Sequence, residues 1–349
     1  MPILRILVVA ALGAPACAPC DIPVFRYALE RWPAAPYEFV CFHRGPVAPE
    51  TETVLGTVEK SFANAEVQRV DVSSIADKTL SELWTAQGNP ALPWLVVRFP
   101  RSDARMASAW AGAPDGDALK GVLDSPARQE TARRLLQGDS AVWLLIEGGE
   151  AAANDAAARL LDAELRKLEK TLKLPESDPE EGPQLLSEIP LRIAFSVLRL
   201  SRNDAAEKAF VSMLGRTGDE MAKAKGPVVL PVFGRGRALW PLSGDRLNPA
   251  EIAEAAEFLA GACSCQIKDM NPGLDLLFAT DWEQGLSAPR SADPAPVSAV
   301  TSPQVTTSDP PAAPGRRPGL MWIGVAILSA GVLVAGIVLL RPRPPSGPC

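Results

Sequence analysis

Pro93-Trp-Leu-Val-Val-Arg-Phe99 is a proline followed by an almost unbroken apolar, β-branched run, and Pro227-Val-Val-Leu-Pro-Val-Phe233 repeats the design far downstream. Proline has no amide proton to give a ladder, so at a strand it belongs at the first residue or an edge. Short continuous apolar runs fit strands covered on both faces. Working outward from the first run, Tyr37-Glu-Phe-Val-Cys-Phe-His43 reads as a strand stopped by Gly45-Pro46. A helix follows from Pro49 to Ala63, with Val54, Leu55, Val58 and Phe62 as its apolar stripe. Val67 to Val72 alternates as a strand, and Leu80 to Gln87 is a short helix closed by Gly88-Asn89-Pro90. Past Phe99, Ala107 to Ala111 is the hairpin partner and Asp117 to Leu123 a last helix.

Around the second run the order recurs. Ser125 and Pro126 open a helix that Gly138 stops. Ala141-Val-Trp-Leu-Leu-Ile146 is a strand followed by Gly148-Gly149. Asn154 to Leu174 is a long helix with Ala157, Leu160, Leu161, Leu165, Leu168 and Leu172 on one face. Leu191 to Leu200 is a strand, Ala205 to Leu214 a helix, and Gly234-Arg-Gly-Arg237 turns the Pro227 strand into Ala238-Leu-Trp240. Pro249 to Ala262 closes the pass as a helix.

This doubled pattern resembles the thioredoxin-like fold, over most of residues 37 to 262. The resemblance implies an α/β protein of two tandem thioredoxin-like sandwich domains, with Pro93 and Pro227 as cis-prolines facing the motif loop. It also implies a redox CxxC after the first strand. Here that place holds His43-Arg44-Gly45-Pro46 in one pass and Glu147-Gly148-Gly149-Glu150 in the other. Both domains therefore lack the redox pair at its usual position. Cys20 to Trp32 further resembles the mature start of an uncharacterised group of exported, membrane-anchored bacterial proteins, a resemblance that implies no activity.

From Leu320 to Leu340 runs an apolar stretch without a charge. As a helix it is roughly 32 Å long, enough for a bilayer core of about 30 Å. Arg316, Arg317, Arg341 and Arg343 bracket it evenly and so do not orient it. Residues 1–16 read as a signal peptide: Arg5, an apolar Ile6 to Ala14, and a small-x-small site at Ala14-Pro15-Ala16. A buried strand from Ile6 to Leu12, on a tail-anchored protein facing the cytoplasm, is the competing reading, and a lipoprotein cut before Cys17 a lesser one. Cleavage leaves residues 17–124 and 125–286 as the two domains outside the cytoplasm. Residues 287–318 are a disordered Pro/Ser/Thr/Ala-rich stalk, 319–340 the transmembrane helix and 341–349 a short tail.

The net charge of −6 argues against a nucleic-acid partner, and a single histidine excludes a multi-histidine metal site. No cofactor is implied. The partners expected are the bilayer, through Leu320 to Leu340, and an unidentified protein. Gly331 and Ala335 add a small-xxx-small signal for weak homodimerisation of the transmembrane helix.

Four cysteines are disulfide candidates: Cys17 and Cys20 in a CxxC, Cys263 and Cys265 in a CxC. The simplest scheme joins Cys20, with or without Cys17, to the CxC. The same residues could make a four-thiolate metal site, less in keeping with export. Cys17 and Cys20 ahead of a helix are also the catalytic residues of the alternative function, a tethered thiol–disulfide oxidoreductase. Cys41 and His43 share one strand face, the raw material of a thiol–imidazole pair, and Arg235 with Arg237 is a candidate anion-binding turn. The favoured reading is a redox-inactive binding or assembly module held at a membrane.

Overall fold

The computed structural model describes residues 20–100, 108–176, 185–263, 267 and 273–288, with side chains from Asp21 onward. The signal peptide, Cys17, Cys265, most of the stalk and Leu320–Leu340 lie outside them. Among the described residues no helix is long and apolar enough to cross a membrane.

The chain opens with β1 (Cys20–Pro23) and α1 (Val24–Arg31). A first run then comprises β2 (Tyr37–His43), α2 (Pro49–Lys60), β3 (Ala65–Asp71), α3 (Lys78–Ala86), β4 (Trp94–Arg98), β5 (Trp110–Gly112) and α4 (Gly116–Leu123). The second run is α5 (Pro126–Leu136), β6 (Ala141–Ile146), α6 (Ala151–Thr171), β7 (Phe195–Leu200), α7 (Lys208–Leu214), α8 (Asp219–Lys223), β8 (Val228–Phe233), β9 (Arg237–Ala238), β10 (Leu242–Ser243) and α9 (Pro249–Ala260). It ends with β11 (Ala262–Cys263), β12 (Leu274–Asp275) and α10 (Trp282–Ser287).

Local chemistry sets many of the boundaries. Pro49 and Pro249 occupy first-turn positions, where the missing amide proton costs nothing. Asn248 caps α9 by accepting from the amides of Ala250 and Glu251, and Asp77 caps α3 in the same way. In α6 the buried apolar residues are Ala157, Leu161, Leu165 and Leu168, four of the six on the expected face.

Two mixed sheets result. The first has the order β3-β2-β4-β5, with β2 parallel to β3 and antiparallel to β4. The second runs β12-β9-β8-β6-β7, with β10 also on β8; β6 is parallel to β7 and antiparallel to β8. Each thus places a strand–helix–strand unit beside an antiparallel hairpin, a topology consistent with a thioredoxin-like fold. Every residue of β6 and β8 is buried, as their continuous apolar sequence requires.

The helices interleave with the sheets in layers. Phe39, Cys41, Leu95 and Val97 of the first sheet join Val142, Leu144 and Leu230 of the second, through residues of α2, α4, α5 and α7, in one apolar core. On the second sheet's other face Trp143, Leu145 and Phe233 meet α1, α6 and α9. The first sheet's other face, with Val40, Phe42 and Val96, packs against α3 residues such as Leu83 and Trp84. Although α1 precedes the first sheet in sequence, its Val24, Phe25 and Ala28 pack with α9 on the second. In return the C-terminal segment reaches the first run, where Ala279 bridges Ala63 and the Phe278 amide donates to Asn64 Oδ1 at 3.0 Å.

Candidate functional site: the loop beside Pro227

In each sheet the strand behind the proline runs back along the central strand, so the proline arrives where the central strand ends. The register reaches Phe42↔Trp94 in one sheet and Ile146↔Val228 in the other. One step farther sets Pro93 beside His43 and Pro227 beside Glu147. These two loops are the positions at which the resemblance implies chemistry. The Leu92–Pro93 peptide bond is cis; Gly226–Pro227 is not among the cis bonds of the described residues.

The first loop is closed by its own polar groups. The His43 Nδ1 lies 2.7 Å from the Gly45 carbonyl, and the Gly45 amide donates to Asp71 Oδ2 at 3.1 Å. Hydrogen bonds from Ser73, chiefly from its backbone amide, hold the Asp71 carboxyl below its usual range. Cys41 is fully buried in the shared core. Burial pushes its thiol up to about 11, with the Arg69 charge pulling the other way. A thiol so placed is protonated at neutral pH and enclosed by hydrocarbon. The Cys41 and His43 pair therefore supplies no activated nucleophile.

The second loop is built by close backbone approach. A Cβ on Gly148 would lie 2.5 Å from the Gly226 carbonyl carbon and 2.7 Å from both its Cα and the Lys225 oxygen. Only glycine lets the two loops come this near. The Gly149 amide donates to the Lys225 carbonyl at 3.3 Å. Asn154, buried on the first turn of α6, accepts from the Gly148 amide at 2.8 Å and donates to its carbonyl at 3.2 Å. Arg202 holds the Glu147 carbonyl at 2.8 Å. Beside this junction opens an apolar groove of about 510 Å³, floored by Ala153, Ala157 and Leu160 of α6 and walled by Pro227, Ser243 and Leu247. Its volume lies in the range of small-ligand sites. Gly148-Gly149 and Lys225-Gly226 stand far apart in the sequence, and only the fold brings them together. The signal was there, since glycine at the end of a strand marks close backbone approach.

Arg235 and Arg237 have internal roles. Arg235 donates to the carbonyls of Leu29 and Glu30 at the C-terminal end of α1, at 2.9 and 3.2 Å, and pairs with Glu283 at 2.7 Å. Arg237 donates to the Gly273 carbonyl at 2.9 Å and pairs with Asp275 at 3.1 Å. The intervening glycines are demanded by the turn: Gly234 and Gly236 have φ of 59° and 90°. A Cβ on Gly234 would also strike Ala28 of α1 at 2.7 Å. Both guanidiniums thus fasten neighbouring segments to the second sheet, Arg235 the end of α1 and Glu283 of α10, Arg237 the stretch from Gly273 to Asp275. Cys263 is buried in the cluster of α1 and α9. Among the described residues no group of His, Cys, Asp and Glu is arranged to hold a metal ion.

The strand order defines a mixed α/β protein whose sheets are consistent with a thioredoxin-like fold. Among solved structures it resembles full-length ERdj5, a thioredoxin-domain protein, at 12% identity over 66% of this chain, with a TM-score of 0.20. The match covers 30% of that chain, less than a third of its length. No protein-family description and no curated protein matches the sequence.

Proposed function

We propose that the chain is a non-catalytic binding module, in which the groove beside Pro227 takes an extended, apolar segment of another polypeptide. The observation that carries the reading is Gly148-Gly149, packed on Gly226 at the loop where the resemblance implies a redox pair, beside a groove that stays open. Its alanine and leucine floor suits small apolar side chains. Backbone groups of the Lys225–Pro227 and Ser243–Gly244 walls can meet an extended chain's own amides. Residues 1–16 as export signal, residues 287–318 as spacer and Leu320–Leu340 as membrane anchor complete the proposal. Their composition supports it.

The test uses the full-length protein and an array of immobilised peptides of varied apolar content. Apolar peptides bind the wild-type chain, and Ala156→Arg, at the exposed rim of the groove, reduces binding at least about tenfold, the loss of 1.4 kcal/mol. Thermal melting of the variant is unchanged. Binding that survives Ala156→Arg would place the contact elsewhere. Reduction of insulin by the wild-type protein, lost in Cys20→Ser, would replace this reading with the oxidoreductase one. The anchor is tested on the same protein: alkaline carbonate leaves the full chain in the membrane fraction and releases a chain ending at Pro318.

A further inference from the structure

We propose that Cys20 and Cys263 are joined by a disulfide that fastens the first described strand to the strand following α9. β1 and β11 pair antiparallel with Cys20 and Cys263 as direct Cα partners. Residues so opposed lie about 4.5–5.5 Å apart at Cα, within the roughly 4.4–6.8 Å that a disulfide spans. The register shifts at a bulge between Cys20 and Pro23, and beyond it Pro23 opposes Ala262 and the Val24 amide donates to the Gly261 carbonyl at 3.0 Å. It selects Cys263, not Cys265, as the partner of Cys20. Cys263 is 2% exposed among Val24, Phe25 and Leu259, so a bond formed there is shielded from soluble reductants.

The chemistry is ordinary thiol–disulfide exchange with a low-molecular-weight disulfide such as oxidised glutathione. The thiolate of one cysteine attacks the glutathione disulfide and expels one glutathione thiolate. The second cysteine's thiolate then attacks the mixed disulfide and expels the other. Two cysteine protons pass to solvent, and two electrons reduce one glutathione disulfide to two thiols. Cys20 is thereby withdrawn from any exchange role within the CxxC. The inference rests on strand register alone and is independent of the groove beside Pro227.

Peptide mapping of the full chain, oxidised in a glutathione buffer and alkylated without reduction, tests it. No Lys or Arg separates Cys17 from Cys20, or Cys263 from Cys265, so variants make the assignment. The Cys17→Ser, Cys265→Ser double variant retains a cross-linked peptide containing residues 20 and 263. Adding Cys20→Ser or Cys263→Ser abolishes it. Reduction lowers the melting temperature of the double variant by about 10 °C, because the bond closes a very long loop. Recovery of Cys20 and Cys263 from the oxidised double variant as separately alkylated peptides overturns the proposal, whether or not the further variants fold. So does a cross-link from either residue to Cys41 or Cys349.

Discussion

A methyl group on Gly148 would meet backbone, not a side chain that can swing aside. Gly148→Ala should therefore push the Glu147–Glu150 loop off the Pro227 loop and cost about 1–3 kcal/mol. Its neighbour is the control: a Cβ on Gly149 meets nothing within 4 Å, so Gly149→Ala should stay within about 0.5 kcal/mol of wild type. Urea titration of both variants measures the difference, and equal midpoints would show that the contact is not what holds the loop. The adjacent glycines look alike in sequence, and tertiary approach alone tells them apart. Cys41 teaches the same lesson in reverse. Strand alternation correctly places it and His43 on one face. Whether that face meets solvent or another layer of helices cannot be read from seven residues.

At the scale of elements, α1 shows how a short helix becomes a fastening. Its Arg26 and Glu30 form an ion pair at 2.8 Å with both side chains almost wholly buried. Glu30 also accepts from the amides of Leu186 and Ser187 and from the Ser187 hydroxyl, at 2.9 to 3.1 Å. Arg26 donates to the carbonyls of Ser187 and Ile189 at 3.0 and 2.6 Å. One turn of helix thus catches the chain on its way into β7. Glu30→Ala would strand the Arg26 charge out of water together with two amides, and should cost about 3–5 kcal/mol in denaturant titration. A loss below about 1 kcal/mol would mean that water reaches the pair. The apolar elements β4, β6, β8 and α6 were legible in the sequence because period and composition agree along each of them. β1, β11 and β12 were not. Each is four residues or fewer, and each owes its extended form to a partner far away in sequence. The internal partners of Arg235 and Arg237 were hidden for a related reason. Two arginines between glycines suggest an anion, and nothing local in the sequence points to the α1 carbonyls that Arg235 meets or to the Gly273 carbonyl and Asp275 that Arg237 meets.

For the whole molecule, the apolar core continuous between the sheets binds the two runs into one unit. Arg128 at the start of α5 reinforces the joint. Its buried guanidinium donates to the carbonyls of Gly121 and Val122 at the end of α4, both at 2.7 Å, and lies 4.9 Å from the Phe210 ring. Burial pulls its pKa down to about 10, which leaves it charged at neutral pH. Because α2 and α4 bury their apolar faces against the second run, a fragment of residues 33–124 should show no cooperative unfolding. The full described region should melt in one transition, with fluorescence and far-UV dichroism coinciding. Two separated transitions would show that each run folds alone. Doubling was plain in the sequence, whereas interdependence was not, since a repeated pattern says nothing of what lies between its copies.

The meeting of β1 with β11 also has a consequence in time. Chains leave the ribosome N-terminus first, yet α1 packs on α9, and Cys20 opposes a residue made more than two hundred positions later. At roughly 5–20 residues per second, that delay is on the order of ten to fifty seconds. Throughout it, Val24, Phe25 and Ala28 have been synthesised but their docking surface has not. The nascent chain must carry an unsatisfied apolar helix at its leading end, which gives a holding chaperone a site to grip until the last long helix emerges.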